Sequence, residues 1–104
     1  MKDITVQELE AGFQEKEDFI LLDIREDFEV EMGHIQSTHI PMGEIANQVD
    51  SLNRKKPMYV LCKTGQRAAA TVNFLATNYG FENLAIVIGG VEAYAKEIDQ
   101  TLIY

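Results

Sequence analysis

Three short apolar runs, at residues 19–24, 58–61 and 84–88, are separated by segments whose apolar residues recur at helical spacing. Runs this short, with little polar alternation, suit strands covered on both faces, as in parallel sheets. The intervening segments supply the cover. Thr5 followed by Glu8 predicts a capping box, with Val6, Leu9 and Phe13 near one helical face. Residues 27–32 predict a short helix stopped by Gly33, His34-Ile35 a brief strand, and the segment to Pro41 a connection. Ile45, Val49 and Leu52 mark another helix beginning near Glu44, and Lys55-Lys56-Pro57 turns the chain into the second apolar run. A longer helix is expected from Arg67 to about Asn78, ended at Gly80, and a last one over 91–98 after a Gly89-Gly90 turn. Leu102-Ile103-Tyr104 is expected to anchor on the core, with a dimer contact as the alternative. Strands alternating with helices predict an α/β fold: a small parallel sheet of about five strands, flanked by helices on both faces.

Residues 1–104 are expected to form one domain. No apolar stretch approaches the roughly 18 residues that a bilayer span requires. Met1-Lys2-Asp3-Ile4 does not resemble a signal peptide, so a cytoplasmic location and no membrane partner are expected. With 17 acidic and 9 basic side chains, the formal charge is -8, which argues against nucleic acid as a partner. One cysteine rules out an internal disulfide or a CxxC pair. Two histidines, His34 and His39, without ligand spacing, give no reason to expect a metal or cofactor.

The cysteine, Cys62, follows the second apolar run and opens Cys62-Lys63-Thr64-Gly65-Gln66-Arg67. A thiol at a strand-to-helix turn meets backbone amides and the positive end of a helix dipole. Such surroundings favour the nucleophilic thiolate. Gly65 permits a tight loop that points successive N–H groups inward. Lys63 supplies positive charge for an anion. Arg67, in a first helical turn where a cation opposes the dipole, calls for a carboxylate partner, with Glu29 and Asp23 as candidates. Asp23 and Arg25 flank the turn after the first long strand; Asp23 is expected to accept hydrogen bonds and Arg25 to brace the turn through Glu29. His34 is read as a structural histidine and His39 as a surface or rim group. Asp23, Cys62 and Gly89 all fall at predicted strand ends, where ligands of such folds bind.

In three stretches the chain resembles the single-domain rhodanese-like sulfurtransferases: residues 22–26 with Glu29 and Gly33-His34-Ile35, the segment from Cys62 to Arg67, and Gly89-Gly90-Val91 with Tyr94. The likeness runs along essentially all of the chain. It implies that Cys62 accepts and donates sulfane sulfur as a persulfide. It implies too that the amides of Lys63, Thr64, Gly65, Gln66 and Arg67 cradle the persulfide or incoming anion, with Arg67 closing the loop. Asp23, Arg25 and Glu29 would support that loop. Differences from the family pattern are Lys63 where arginine is frequent, Asp27 where proline often stands, Tyr94 in place of a tryptophan, and a polar stretch between Gly33 and Pro41 that is one residue short.

The expected partners are a small anionic sulfur donor, such as thiosulfate, or a persulfide donor. Cyanide, an external thiol or a sulfur-acceptor protein would remove the sulfur. The protein is expected as a monomer or weak homodimer. The alternatives are a non-catalytic binding module and a cysteine phosphatase or arsenate reductase. The latter enzymes use a Cys-x5-Arg loop, whereas Cys62 and Arg67 are in a Cys-x4-Arg arrangement, a tighter cradle.

Overall fold

The computed structural model describes residues 2–104; Met1, part of the expected leaderless start, lies outside them. Five parallel strands form one sheet in the order β1-β5-β4-β2-β3. They are β1 (Lys2–Ile4), β2 (Ile20–Asp23), β3 (Thr38–His39), β4 (Met58–Leu61) and β5 (Leu84–Val87). Among the described residues there are four α-helices: α1 (Val6–Gln14), α2 (Asp27–Met32), α3 (Gln66–Tyr79) and α4 (Gly90–Glu97). A 3-10 helix, Met42–Ser51, follows β3.

Side-chain alternation along the strands divides the interior into two cores. Leu22, Met58, Val60 and Leu84 face α3 and the 3-10 helix, meeting Ile45, Val49, Ala68, Val72 and Leu75. Leu21, Leu61, Ala85 and Val87 face the other way, meeting Val6 and Leu9 of α1 and Val91 and Tyr94 of α4. The same alternation, continued one residue past Leu61, sends Cys62 to the α3 side.

Thr5 and Glu8 form the capping box of α1, with Oγ1 of Thr5 accepting from the Glu8 N–H at 3.1 Å and the Thr5 N–H donating to the Glu8 carboxylate at 2.9 Å. Gly80, with φ 68°, ends α3 in the left-handed region. No helix among the described residues is long and apolar enough to cross a membrane.

Several local expectations need correction. Strand β1 had no forecast; at three residues on a sheet edge it is too short to show a periodicity. Strand β3 is Thr38–His39 rather than His34-Ile35, because Leu22 and Asp23 pair with those two residues while Ile35 packs into the α1–α4 core. The helix through Ile45 and Val49 is 3-10, which an apolar spacing of three and four does not separate from an α-helix. Gly33 does not stop α2 through left-handed geometry, since its φ of 169° is extended. A Cβ there would collide with the Ile103 carbonyl oxygen. The C-terminal segment is indeed anchored: Leu102 and Tyr104 pack on the α1–α4 core.

Candidate active site

Cys62 leaves β4 and enters a three-residue loop ahead of α3. Its residue surface is 1% exposed, so the thiol lies at the bottom of the loop rather than on its crest. The sulfur accepts the Gly65 N–H at 3.1 Å and the Ala68 N–H at 3.4 Å. Gly65 adopts φ 107°, a conformation that other residues rarely reach, and this turn aims its N–H back at the sulfur. Ala68 contributes from the first turn of α3, where backbone N–H groups lack helical partners. Among the described residues, the N–H groups of Lys63, Thr64, Gln66 and Arg67 have no intramolecular acceptor. The loop therefore offers two amides to the sulfur and leaves four further donors free.

The start of α4 fixes this loop from below. The Val91 N–H donates to the Cys62 carbonyl at 2.9 Å, and the Glu92 N–H donates to the Lys63 carbonyl at 3.0 Å. Gly90 has φ 59°, and a Cβ on it would run into both of those carbonyl oxygens. The double glycine thus serves close packing of α4 against the cysteine loop. Tyr94 lies on the far side of α4, donating from its hydroxyl to the Glu10 carboxylate at 2.6 Å. That bond is the main reason the Glu10 carboxyl sits below its usual pKa.

Arg67 leaves the first turn of α3 and reaches α2. Its two terminal nitrogens donate to the two Glu29 oxygens at 2.7 and 2.9 Å, a bidentate pair. Of the two candidate partners, Glu29 is the one engaged. Glu29 is buried, and its oxygen also accepts the Glu26 N–H at 2.9 Å. The Arg67 hydrogen bond, more than any other influence, lowers the Glu29 carboxyl from 4.5 to about 2. Arg67 is correspondingly raised above the usual arginine range, chiefly by its hydrogen bond to Glu29.

Asp23 is occupied by Arg25. The Arg25 guanidinium donates to its two oxygens at 2.9–3.2 Å, and the Arg25 backbone N–H adds a bond at 3.0 Å. Arg25 also donates to the carbonyls of Gly33 at 3.0 Å and Glu29 at 3.4 Å. It therefore braces the turn through the Glu29 backbone, not through its carboxylate. His39 Nε2 donates to the Arg25 carbonyl at 2.7 Å from the rim of this network. His34 is exposed, with Nδ1 3.2 Å from the Val30 carbonyl. Lys63 and Thr64 are exposed at the loop crest beside Gln66.

The sequence points to Cys62, Gly65, Arg67 and Glu29, and the fold brings these together. Ala68 and Glu92 are not marked by the sequence, and Val91 only as the end of the Gly89-Gly90-Val91 stretch. They act through backbone N–H groups, so their side chains carry no sign of it.

The family model for the Rhodanese-like domain matches residues 5–97. The chain belongs to the rhodanese-like family. A solved rhodanese-like domain protein from Staphylococcus aureus is 34% identical, with a TM-score of 0.83 over 99% of this chain and 97% of that one. YtwF of Bacillus subtilis, whose name places it provisionally among the sulfurtransferases, is 32% identical over 98 residues, 93% of each chain. The chloroplastic Rhodanese-like/PpiC domain-containing protein 12 of Arabidopsis thaliana is 31% identical over 110 residues. This chain covers 98% of its own length in that match but only 36% of the plant protein. Fold and lone loop cysteine together accord with sulfurtransferase chemistry in general for this rhodanese-like chain.

Proposed function

We propose that the protein is a sulfurtransferase that carries sulfane sulfur as a persulfide on Cys62. The observation that carries this reading is the lone thiol at the base of a Cys-x4-Arg loop, met by two N–H donors, in a loop whose four other N–H groups have no acceptor among the described residues. In the first half-reaction the Cys62 thiolate attacks the outer sulfur of thiosulfate. A new S–S bond forms, the donor S–S bond breaks, and sulfite departs with the electron pair. In the second, cyanide or a thiolate takes the outer sulfur and Cys62 leaves as thiolate. This is covalent, two-stage catalysis.

Each residue has a share in this cycle. The amides of Lys63, Thr64, Gln66 and Arg67 hold the charge of the outer sulfur or the donor anion. Gly65 and Ala68 orient Sγ. Lys63 attracts the donor. Arg67 closes the loop by its bond to Glu29, and Asp23 and Arg25 secure the helix that presents Glu29. The chain has no second cysteine, so the acceptor comes from outside it. The short loop favours one sulfur over a phosphoryl group.

Intact-mass measurement after exposure to thiosulfate tests the reading. The protein should gain about 32 Da, one sulfur atom, and lose it to cyanide. Cys62→Ser should show no gain. The same cyanide-sensitive gain in that variant would overturn the assignment.

A further inference from the structure

Next to the loop lies a surface that sulfur transfer to a small anion would not require. Arg67, Ala70, Thr71 and Phe74 fall on one face of α3 at helical spacing. Below Arg67, a cavity of about 240 Å³ opens between this face and the 3-10 helix, lined by Met42, Ile45, Ala46, Ala70, Thr71 and Phe74. The lining is apolar apart from Thr71, which is 2% exposed with its hydroxyl sealed from solvent.

Across Met42, a second cavity of about 600 Å³ runs between α2 and the beginning of the 3-10 helix. It is lined by Glu26, Asp27, Glu31 and Glu44. All four acids are exposed. Among the described residues, Glu26, Glu31 and Glu44 have no cationic partner, and Asp27 has only His39 at 3.9 Å. Phe28, 64% exposed, and Met32, 49% exposed, project from the same short helix. Since Glu29 neutralises Arg67, Lys63 is the one cation of the loop without a carboxylate partner among the described residues. The surface beside the loop is therefore acidic and apolar, a match for a basic polypeptide.

We propose that this double cavity docks a basic segment of a partner protein that delivers sulfur to Cys62 or removes it. An apolar side chain of the partner fills the Ala70–Phe74 cavity, and flanking lysines or arginines face Glu26, Asp27, Glu31 and Glu44. A second copy of this chain is a weaker occupant, because each copy carries a net charge of -8. This proposal rests on the persulfide reading above. In removal, a partner thiolate attacks the outer sulfur and forms a new S–S bond, the S–S bond to Cys62 breaks, and Cys62 leaves as thiolate; in delivery, the Cys62 thiolate attacks the outer sulfur of a partner persulfide and the partner cysteine leaves as thiolate.

The test uses the full chain, loaded from thiosulfate or inorganic polysulfide, and three short peptides. Two contain one cysteine and one leucine, flanked by lysines in one and by glutamates in the other; the third is the lysine peptide with serine for leucine. Mass spectrometry follows sulfur transfer, with cyanide as the small acceptor. The lysine–leucine peptide should react about 10-fold faster than the glutamate peptide at low salt, and the gap should close in high salt. Glu31→Lys/Glu44→Lys should erase or invert this preference while leaving discharge by cyanide unchanged. Ala70→Trp should slow the leucine peptide about 5-fold by filling the cavity, without slowing the serine peptide. Equal rates for basic and acidic peptides, with cyanide still active, would overturn the docking proposal alone. Failure to load sulfur from either donor would instead overturn the persulfide reading. Concentration-dependent dimerisation abolished by Ala70→Trp would assign the cavity to a second copy and refute the partner.

Discussion

Replacing Glu29 by Gln removes one charge from the bidentate pair that closes the cysteine loop, while keeping shape and some hydrogen bonding. The carboxyl falls from 4.5 to about 2 on folding. At about 1.4 kcal/mol per pKa unit, this corresponds to on the order of 3 kcal/mol. Arg67 is one-third exposed, so water screens part of the interaction and solvates the guanidinium left behind. A net loss of about 2 kcal/mol is expected for Glu29→Gln at pH 7. The sign follows from the lowered carboxyl. Its contribution is complete above pH 4.5, declines as pH falls toward 2, and is gone below that. Urea denaturation of both proteins at a series of pH values should show curves that are separated at neutral pH and converge in that window. A double-mutant cycle with Arg67→Gln should assign most of the loss to the pair. A stability difference that stays constant from pH 6 to pH 3, or a cycle with no coupling, would refute the argument.

Further substitutions test other parts of the structure. Gly90→Ala pushes a methyl group into the Cys62 and Lys63 carbonyls at a positive φ, and should cost about 2–4 kcal/mol and most of the sulfur transfer. Gly43→Ala, with nothing within 4 Å of the added carbon, should shift thermal stability by less than about 0.5 kcal/mol; similar melting curves for the two variants would contradict the close-packing role. Lys63→Ala should mainly raise the Michaelis constant for thiosulfate, by about 3-fold at low salt, with the effect fading as salt rises. Arg67→Ala should cost more and respond less to salt, because its pair with Glu29 orders the loop; equal, salt-independent losses in steady-state kinetics would contradict this division.

The central strands were legible because burial on both faces leaves unbroken apolar runs. The edges were not. Strand β1 has three residues and β3 has two, and neither is long enough to show a period. Cys62, Gly65 and Gly90 stood out because their chemistry or their φ restricts the residue type. The Arg67 partner was narrowed to two acids but not to one, since charge alone does not reveal which carboxylate is already taken. Asp23 was taken locally, by Arg25 two residues on, which left Glu29 for an arginine 38 residues away. The acidic and apolar surface beside the loop left no motif at all, because its members come from α2, the 3-10 helix and α3 and meet only in three dimensions.

How Asp23 and Arg25 bear on a thiol they do not touch follows from the weakness of α2. Six residues make less than two turns, too few to hold a helix by its own hydrogen bonds. Its position is imposed from two sides. From beneath, Arg25 donates to the carbonyl of Glu29 within the helix and to that of Gly33 at its C-terminal end, where a cation is favoured, while Asp23 balances its charge. From across the cleft, Arg67 grips the Glu29 side chain. A buried ion pair is no more stabilising than apolar packing of the same volume, so hydrophobicity alone gives Asp23 and Arg25 no advantage at the end of β2. What an apolar pair could not do is reach the two carbonyls of α2. Through them the end of β2 sets the height of Glu29, Glu29 sets Arg67, and Arg67 sets the first turn of α3, from which the Gly65 and Ala68 amides are presented to the sulfur.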